Sequence, residues 1–227
     1  MKKNIDFLYE VEIKSLLGSK EYAVQLRNSI ITRGGVFTAK NKQLNHYFNL
    51  SDTKHFQNKL KPFIESSKRN FFEKIIARGD NFSVRTRDTD GKVQLVIKAS
   101  VGNDTNANGV SRMEFESKVA MTIEELDTLL LKTGLNYQAK WSREREEYKF
   151  GDINICIDKN AGYGYLAEFE KMTNSEKSVN LIKNELHQLM AKFGVEELQQ
   201  DRLERMFAYY NDNWRNYYET DKVFNVK

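Results

Sequence analysis

The 227-residue chain contains very little cysteine or proline, and each scarcity excludes a class of protein. Its single cysteine, Cys156, excludes an intramolecular disulfide and most cysteine-based zinc sites. A reducing, cytoplasmic location is therefore expected. The single proline, Pro62, leaves no proline-rich linker that would divide the chain into separate parts.

Long apolar runs and a large excess of one charge are also missing. No apolar stretch approaches the roughly 20 residues of a membrane-spanning helix. The N-terminal residues lack the apolar core of a signal peptide. The formal net charge is only +4, which does not indicate the basic footprint of a nucleic-acid-binding protein. We therefore expect neither a membrane nor a nucleic acid as partner.

Alternating polar and apolar residues predict eight strands, and apolar residues at helical spacing predict helices between and after them. Thr122 and Glu125 have the spacing of a capping box at the start of one such helix. The strands are predicted at about 5–14, 43–49, 81–88, 92–99, 111–119, 144–150, 152–158 and 164–171. The helices are predicted at 19–33, 53–78 and 122–133, and throughout 176–227.

The polar faces of these strands are unusual because they carry charged residues of both signs. In the first strand, Glu10, Glu12 and Lys14 alternate with Val11 and Ile13. A flat sheet with a solvated charged face satisfies this pattern, and so does a closed barrel with a charged lumen and helices outside. The pattern alone favours the flat sheet. The mixture of signs favours the barrel, because cationic side chains bind phosphate whereas carboxylates hold divalent cations.

Seven motifs along the chain resemble those of the CYTH, or triphosphate tunnel, superfamily. Three features depart from the family pattern, namely Asn45 in place of a frequent aspartate, a long segment at 51–80 and a substantial tail from residue 176. The motifs are Glu10-Val11-Glu12-Ile13-Lys14, Gln43 with Tyr47 and Phe48, Arg85-Thr86-Arg87 followed by Lys98, Arg112-Met113-Glu114-Phe115-Glu116, Arg143 with Arg145, Asp158, and Ala167-Glu168-Phe169-Glu170.

The resemblance implies an α+β protein built on an eight-stranded antiparallel β-barrel with a charged lumen. The tunnel domain is expected at 1–175, with a helical insertion at about 51–80. A helical C-terminal extension at 176–227 is expected to pack on the barrel or on a partner subunit. A homodimer is one expected assembly.

The same resemblance assigns roles to individual residues. Lys14 and Asp158 are the candidate catalytic residues. The candidate ligands for Mg²⁺ or Mn²⁺ are Glu10, Glu12, Glu116, Asp158, Glu168 and Glu170. The residues expected to bind the phosphates of the substrate are Arg85, Arg87, Lys98, Arg112, Arg143 and Arg145.

Four functions remain open at this point. The first is metal-dependent hydrolysis of inorganic triphosphate, thiamine triphosphate or a nucleoside triphosphate. The second is a class IV adenylyl cyclase, although Asn4 and Ile5 stand where cyclases of the family tend to carry His-Phe. The third is a binding module that captures a polyphosphate or nucleotide without turnover, and the fourth is a structural protein with a flat charged sheet.

Overall fold

In the computed structural model, eight antiparallel strands close into a barrel in the order β1-β5-β4-β3-β2-β6-β7-β8. The structure describes residues 9–50, 52–100 and 110–225, without the side chains of 110–112 and 176. The strands are β1 (Tyr9–Gly18), β2 (Val36–Asn49), β3 (Asp80–Thr89), β4 (Lys92–Ser100), β5 (Val110–Lys118), β6 (Asn136–Phe150), β7 (Ile153–Asn160) and β8 (Gly164–Thr173). The predicted barrel is therefore confirmed, and the flat sheet is wrong.

Two strands are longer than their alternation predicts. β2 begins at Val36 and β6 begins at Asn136, each directly after a glycine-containing turn. Most side chains in the first half of β2 are at least partly exposed, so no apolar face identifies this part of the strand. The predicted start of β1 at residue 5 lies outside the described residues.

The described residues form six α-helices, of which the first five pack against the outside of the barrel and the sixth lies beside the β7–β8 turn. The predicted capping box at Thr122 and Glu125 is present. The predicted continuous helix from 176 onward is wrong, because Gly194 adopts a left-handed conformation that ends one helix. The helices are α1 (Lys20–Thr32), α2 (Thr53–Leu60), α3 (Arg69–Arg78), α4 (Ile123–Lys132), α5 (Val179–Phe193) and α6 (Gln200–Asn213). Among the described residues, no helix has the length and apolar character needed to span a membrane.

The apolar core lies between the barrel wall and these helices, not inside the barrel. Helices α2, α3 and α4 cover β3, β4 and β5 through residues such as Phe72 and Phe115. Helices α1 and α5 cover β1, β7 and β8 through residues such as Ile13 and Leu186. Because the apolar strand faces are buried outward, the charged faces are left for the lumen. The division of the chain at residue 175 stays a prediction.

The segment from α6 to residue 225 is tied to the barrel beside the β7–β8 turn. The backbone N–H of Leu198, just before α6, donates to the carbonyl of Lys14 at 2.7 Å. The Tyr210 hydroxyl donates to the carbonyl of Lys140 at 2.9 Å. Gly162 in the turn has a φ of +82°, and a Cβ there would lie 2.8 Å from ring atoms of Tyr210 and Phe224. Because Gly162 has no side chain, Tyr210 of α6 packs directly against the turn, and this packing holds α6 close to the lumen.

A buried hydrogen-bond network around Asp127 of α4 also fastens the end of the chain. Asp127 accepts from Thr86 and Tyr137 at 2.6 Å each, and its Oδ2 lies 2.7 Å from His46 Nδ1. The other ring nitrogen of His46 lies 2.7 Å from the Tyr218 hydroxyl. Lys140 lies 3.8 Å from the same carboxylate. The network thus joins α4, three strands and the C-terminal segment.

We expect Asp127→Asn to lower the free energy of unfolding by about 2 kcal/mol, because an amide would then face buried donors. Burial alone would raise the pKa of Asp127, but hydrogen bonds from His46, Thr86 and Tyr137 lower it. A lowered folded-state pKa stabilises the protein fully above the unfolded value of about 3.9. That stabilisation is lost as the pH falls through the folded-state value.

Urea unfolding between about pH 7 and about pH 3 measures this effect. The difference between the wild type and Asp127→Asn should shrink below about pH 4. Asp201→Asn is the matched control, because the Asp201 side chain is 71% exposed and pairs with Arg205 in an i,i+4 arrangement. A difference that stays constant with pH would contradict the role given to the Asp127 carboxylate.

Candidate active site in the barrel lumen

The lumen is a cavity of about 560 Å³ to which all eight strands contribute side chains. Alternate residues of each strand point inward because side chains alternate between the two faces of a sheet. Thus Glu10, Glu12 and Lys14 of β1 line the cavity, whereas Val11 and Ile13 are buried on the outside. Helix α6 adds two further side chains, Phe207 and Asn211.

Three glutamates on neighbouring strands converge on one side of the lumen. Glu12 of β1 is paired in register with Glu170 of β8, and Glu10 lies two residues away on the same face. Glu10, Glu12 and Glu170 each offer a carboxylate oxygen, and these oxygens lie within 4.8 Å of one another. Burial alone would raise the pKa of Glu10, but the charge and hydrogen bond of Lys98 lower it to about 2. The cluster therefore retains a charged carboxylate despite its burial.

A second group of carboxylates is already engaged by arginines. Asp158 is fully buried and accepts two hydrogen bonds from Arg145, at 2.8 and 2.6 Å. Arg143 donates to the same carboxylate at 2.8 Å. Arg145 also donates to Glu168. Such two-pronged pairing holds the planar guanidinium groups in defined orientations.

Two further arginines lie on β3. Arg87 donates to Glu116 at 2.7 Å and to Asn45 at 3.1 Å. Arg85 donates to the Tyr47 hydroxyl at 2.6 Å, while its buried Nε has no hydrogen-bond partner among the described residues. This Nε is a donor available to a ligand.

Two lysines contact the three clustered glutamates and also lie near other carboxylates of the lumen. Lys98 donates to Glu10 and lies 3.6 Å from Glu114. Burial raises the pKa of Glu114 to about 7, although Lys98 opposes the rise. Lys14 contacts Glu12 and lies 3.6 Å from Glu168. Burial lowers the pKa of Lys14, although Glu168 opposes this and the charge of Lys98 adds to it.

Most of the predicted site residues line this one cavity, although their individual roles stay predictions. Asp158 lies beneath the lining, against Arg143 and Arg145, and Glu116 lies with Arg87 rather than with the three clustered glutamates. The backbone of Arg112 pairs with that of Glu10, but its side chain lies outside what the structure describes. The predicted residues that line the cavity are Glu10, Glu12, Lys14, Arg85, Arg87, Lys98, Glu116, Arg143, Arg145, Glu168 and Glu170.

Several lining residues were missed by the sequence analysis. Trp141 has the same strand parity as Arg143 and Arg145, and Asn160 has the same parity as Asp158, so alternation could have found both. Phe207 belongs to an aromatic stripe that indicates only packing. Glu114 lines the cavity on the same strand face as Glu116, although the predicted metal-ligand set contains only Glu116.

Comparison with known proteins identifies similar sequences and folds. The sequence model of the CYTH domain matches residues 73–202, which is more than half of the chain. This match begins within α3, so β1 and its Glu10, Glu12 and Lys14 lie outside it. A search of curated proteins finds no match.

Three solved structures share the fold at low sequence identity, so their likeness concerns the fold alone. A conserved hypothetical protein from Pyrococcus furiosus has a TM-score of 0.61 and 16% identity, over 82% of this chain and 91% of that chain. A protein from Pyrococcus horikoshii OT3 has a TM-score of 0.61 and 19% identity, over 87% and 99%. A proposed adenylate cyclase from Vibrio parahaemolyticus has a TM-score of 0.59 and 15% identity, over 88% and 98%.

Proposed function

The chain belongs to the CYTH domain family, and from this membership we propose that it hydrolyses a triphosphate with the help of a divalent cation. The family is largely enzymatic, with triphosphatases and adenylate cyclases, and its enzymes depend on divalent metal ions. One observation carries the proposal. The three clustered glutamates and the arginines of β3 and β6 line the same cavity, so one ligand can contact both sets.

The donor set of Glu10, Glu12 and Glu170 fits Mg²⁺ or Mn²⁺. Hard cations prefer oxygen ligands, and Mg²⁺ is commonly bound by one or two carboxylates together with substrate phosphates. The three carboxylate oxygens lie within 4.8 Å of one another, which is close enough to share an ion. When bound, a divalent cation supplies positive charge to the phosphate oxygens and stabilises the charge that develops during phosphoryl transfer.

The charge balance of the lumen also supports a requirement for metal. Among the described side chains that line the cavity, seven carboxylates accompany six cationic groups. The lumen by itself therefore offers no excess positive charge to a highly anionic triphosphate. Glu114, with a pKa of about 7, changes this balance by at most one charge. Cations that enter with the substrate would remove the repulsion.

The chain's own cationic residues would bind and orient the substrate. Arg143 and Arg145 are held by Asp158, so their guanidinium groups are positioned before a phosphate arrives. The unpartnered Nε of Arg85 offers one further donor. A water oxygen would bond to the terminal phosphorus as the bridging P–O bond breaks, which releases orthophosphate. Lys14 as the general base stays a prediction from the sequence.

Product analysis tests this proposal directly. We expect the purified protein to release orthophosphate from inorganic triphosphate, thiamine triphosphate or a nucleoside triphosphate when Mg²⁺ or Mn²⁺ is present. Removal of the metal with EDTA should lower the rate by at least about 100-fold. Ion chromatography of the products identifies orthophosphate, pyrophosphate and cyclic nucleotide in one measurement.

Each other product pattern has a definite meaning. Cyclic AMP with pyrophosphate from ATP would identify a cyclase and contradict hydrolysis. No product with either metal, together with saturable triphosphate binding, would identify a binding module. Glu185→Gln serves as a control, because Glu185 lies on α5 outside the barrel and pairs with Lys171. This variant should retain the wild-type rate.

A further inference from the structure

One wall of the lumen is apolar and aromatic, in contrast to its charged surroundings. Trp141 of β6, Leu166 of β8 and Phe207 of α6 line the cavity there. Inorganic triphosphate has no apolar surface that could pack against these side chains. A cavity of about 560 Å³ also falls within the size range of pockets that hold whole small molecules. The apolar wall therefore needs an explanation beyond triphosphate binding.

Trp141 is held as a rigid surface by its neighbours. Its ring stacks on Tyr163 with centroids 4.7 Å apart and an interplanar angle of 21°. The ring centroid of Tyr210 lies 4.3 Å from that of Trp141, and the Phe207 ring packs edge-on against Trp141 with a centroid distance of 5.7 Å. Its side chain nevertheless stays partly exposed, and it lines the cavity. A rigid aromatic side chain of this kind binds a planar ring at little entropic cost.

Two side-chain amides at the same wall, those of Asn160 and Asn211, can offer a donor to a ligand. Asn160 of β7 is only 7% exposed, and its Nδ2 has no hydrogen-bond partner among the described residues. A buried donor without a partner is costly, so native proteins rarely contain one without a reason. Asn211 of α6 also lines the cavity, and no hydrogen bond joins its side chain to the described part of the chain. Both amides are available to a bound ligand.

The apolar wall adjoins the proposed phosphate-binding arginines. Trp141 precedes Arg143 by two residues on the same strand face, which corresponds to roughly 7 Å. Asn160 is paired in register with Arg143. Trp141 is paired with Asn45, which in turn accepts a hydrogen bond from Arg87. A group attached to a triphosphate held by these arginines can therefore reach the wall.

We propose that the substrate is an organic triphosphate with a planar heteroaromatic group. This inference rests on the proposed function for the position of the triphosphate. The planar group packs against Trp141 and Phe207, and Asn160 Nδ2 donates a hydrogen bond to an acceptor on it. Phe207 and Asn160 are thus specificity-determining residues, and they distinguish organic triphosphates from inorganic triphosphate.

Calorimetric binding with Ca²⁺ in place of Mg²⁺ tests this inference, because Ca²⁺ supplies the positive charge that the lumen lacks. Product analysis of the same mixtures verifies that the probes stay intact. The probes are ATP, GTP, CTP, UTP, thiamine triphosphate and inorganic triphosphate. At least one organic triphosphate should bind the wild type about 10-fold or more tightly than inorganic triphosphate, because ring stacking adds affinity. Phe207→Ala should reduce this ratio by about 10-fold. Asn160→Ala should reduce the ratio for those heteroaromatic groups that carry a suitable acceptor.

The control is Leu181→Ala, because Leu181 is a 72% exposed apolar residue of α5. It should leave the ratio of affinities unchanged. Phe207→Leu provides a second test if Phe207→Ala does not fold, because leucine keeps an apolar side chain on α6 but removes the aromatic ring; it should also reduce the ratio. The inference is overturned if no organic triphosphate binds more tightly than inorganic triphosphate, or if the variants weaken both ligand classes equally. Failure of hydrolysis with every substrate would overturn the proposed function instead, and the affinity ratio would still decide the inference.

Discussion

Replacing both Glu10 and Glu12 by glutamine is expected to lower kcat/KM for triphosphate hydrolysis by at least about 1,000-fold. Glutamine keeps the shape of each side chain but removes the negative charge that a hard cation prefers. Two of the three clustered carboxylates would be lost at once. Glu170→Gln alone should give a smaller loss, because two charged glutamates would remain.

Metal titrations distinguish this role from a structural one. The Mn²⁺ concentration required for half-maximal activity should rise strongly in the glutamine variants, and direct Mn²⁺ binding measured by electron paramagnetic resonance should weaken in parallel. Glu73→Gln is the matched control, since Glu73 lies on α3 and pairs with Lys61 outside the cavity. Wild-type metal affinity in the double variant would show that the three glutamates do not form the metal site.

Asp158→Asn is expected to destabilise the protein by about 3 kcal/mol, because its carboxylate is the shared partner of Arg143 and Arg145. Removing one member of a buried ion pair leaves uncompensated charge in the interior. The arginines would also lose their orientation, so KM should rise along with the loss of stability. The geometry thus favours a positioning role for Asp158 over the catalytic and metal-binding roles predicted from the sequence.

Two measurements on Asp158→Asn separate these roles. Urea unfolding gives the change in stability, and Mn²⁺ binding gives the change in metal affinity. A positioning role predicts reduced stability with nearly unchanged Mn²⁺ affinity. A large loss of Mn²⁺ affinity without a loss of stability would instead favour a metal ligand. Asp152→Asn is the control, because the Asp152 side chain is 70% exposed and its pair with Lys171 should contribute less than about 1 kcal/mol.

Local alternation was sufficient to predict the charged side of most strands, although it identified no charged face for β2. In β1, Glu10 and Lys14 were placed on the polar face and Ile13 on the apolar face, and the structure agrees. Such predictions succeed because the side-chain period of two is a property of each strand alone. The same local reasoning located most of α1 and α4, whose ends are set by nearby glycines and a capping box.

Local patterns could not identify the function of residues whose surroundings come from distant parts of the chain. Phe207 belongs to an aromatic stripe like that of any packed helix. It faces the lumen because α6 is held beside the β7–β8 turn by contacts such as that between Gly162 and Tyr210. The unpartnered amide of Asn160 is likewise visible only when all neighbouring atoms are in place.

The sequence by itself determined the number of strands, the charged and apolar faces of most of them, and the family resemblance, but not the first halves of β2 and β6. Only the tertiary structure decided that the sheet closes and which carboxylates meet. Glu12 lies beside Glu170 because β1 pairs with β8, more than 150 residues away along the chain. Asp158 lies on the strand face that a metal ligand would need, but its carboxylate accepts hydrogen bonds from Arg143 and Arg145. Strand register is set by pairing between distant segments, and no local pattern contains that information.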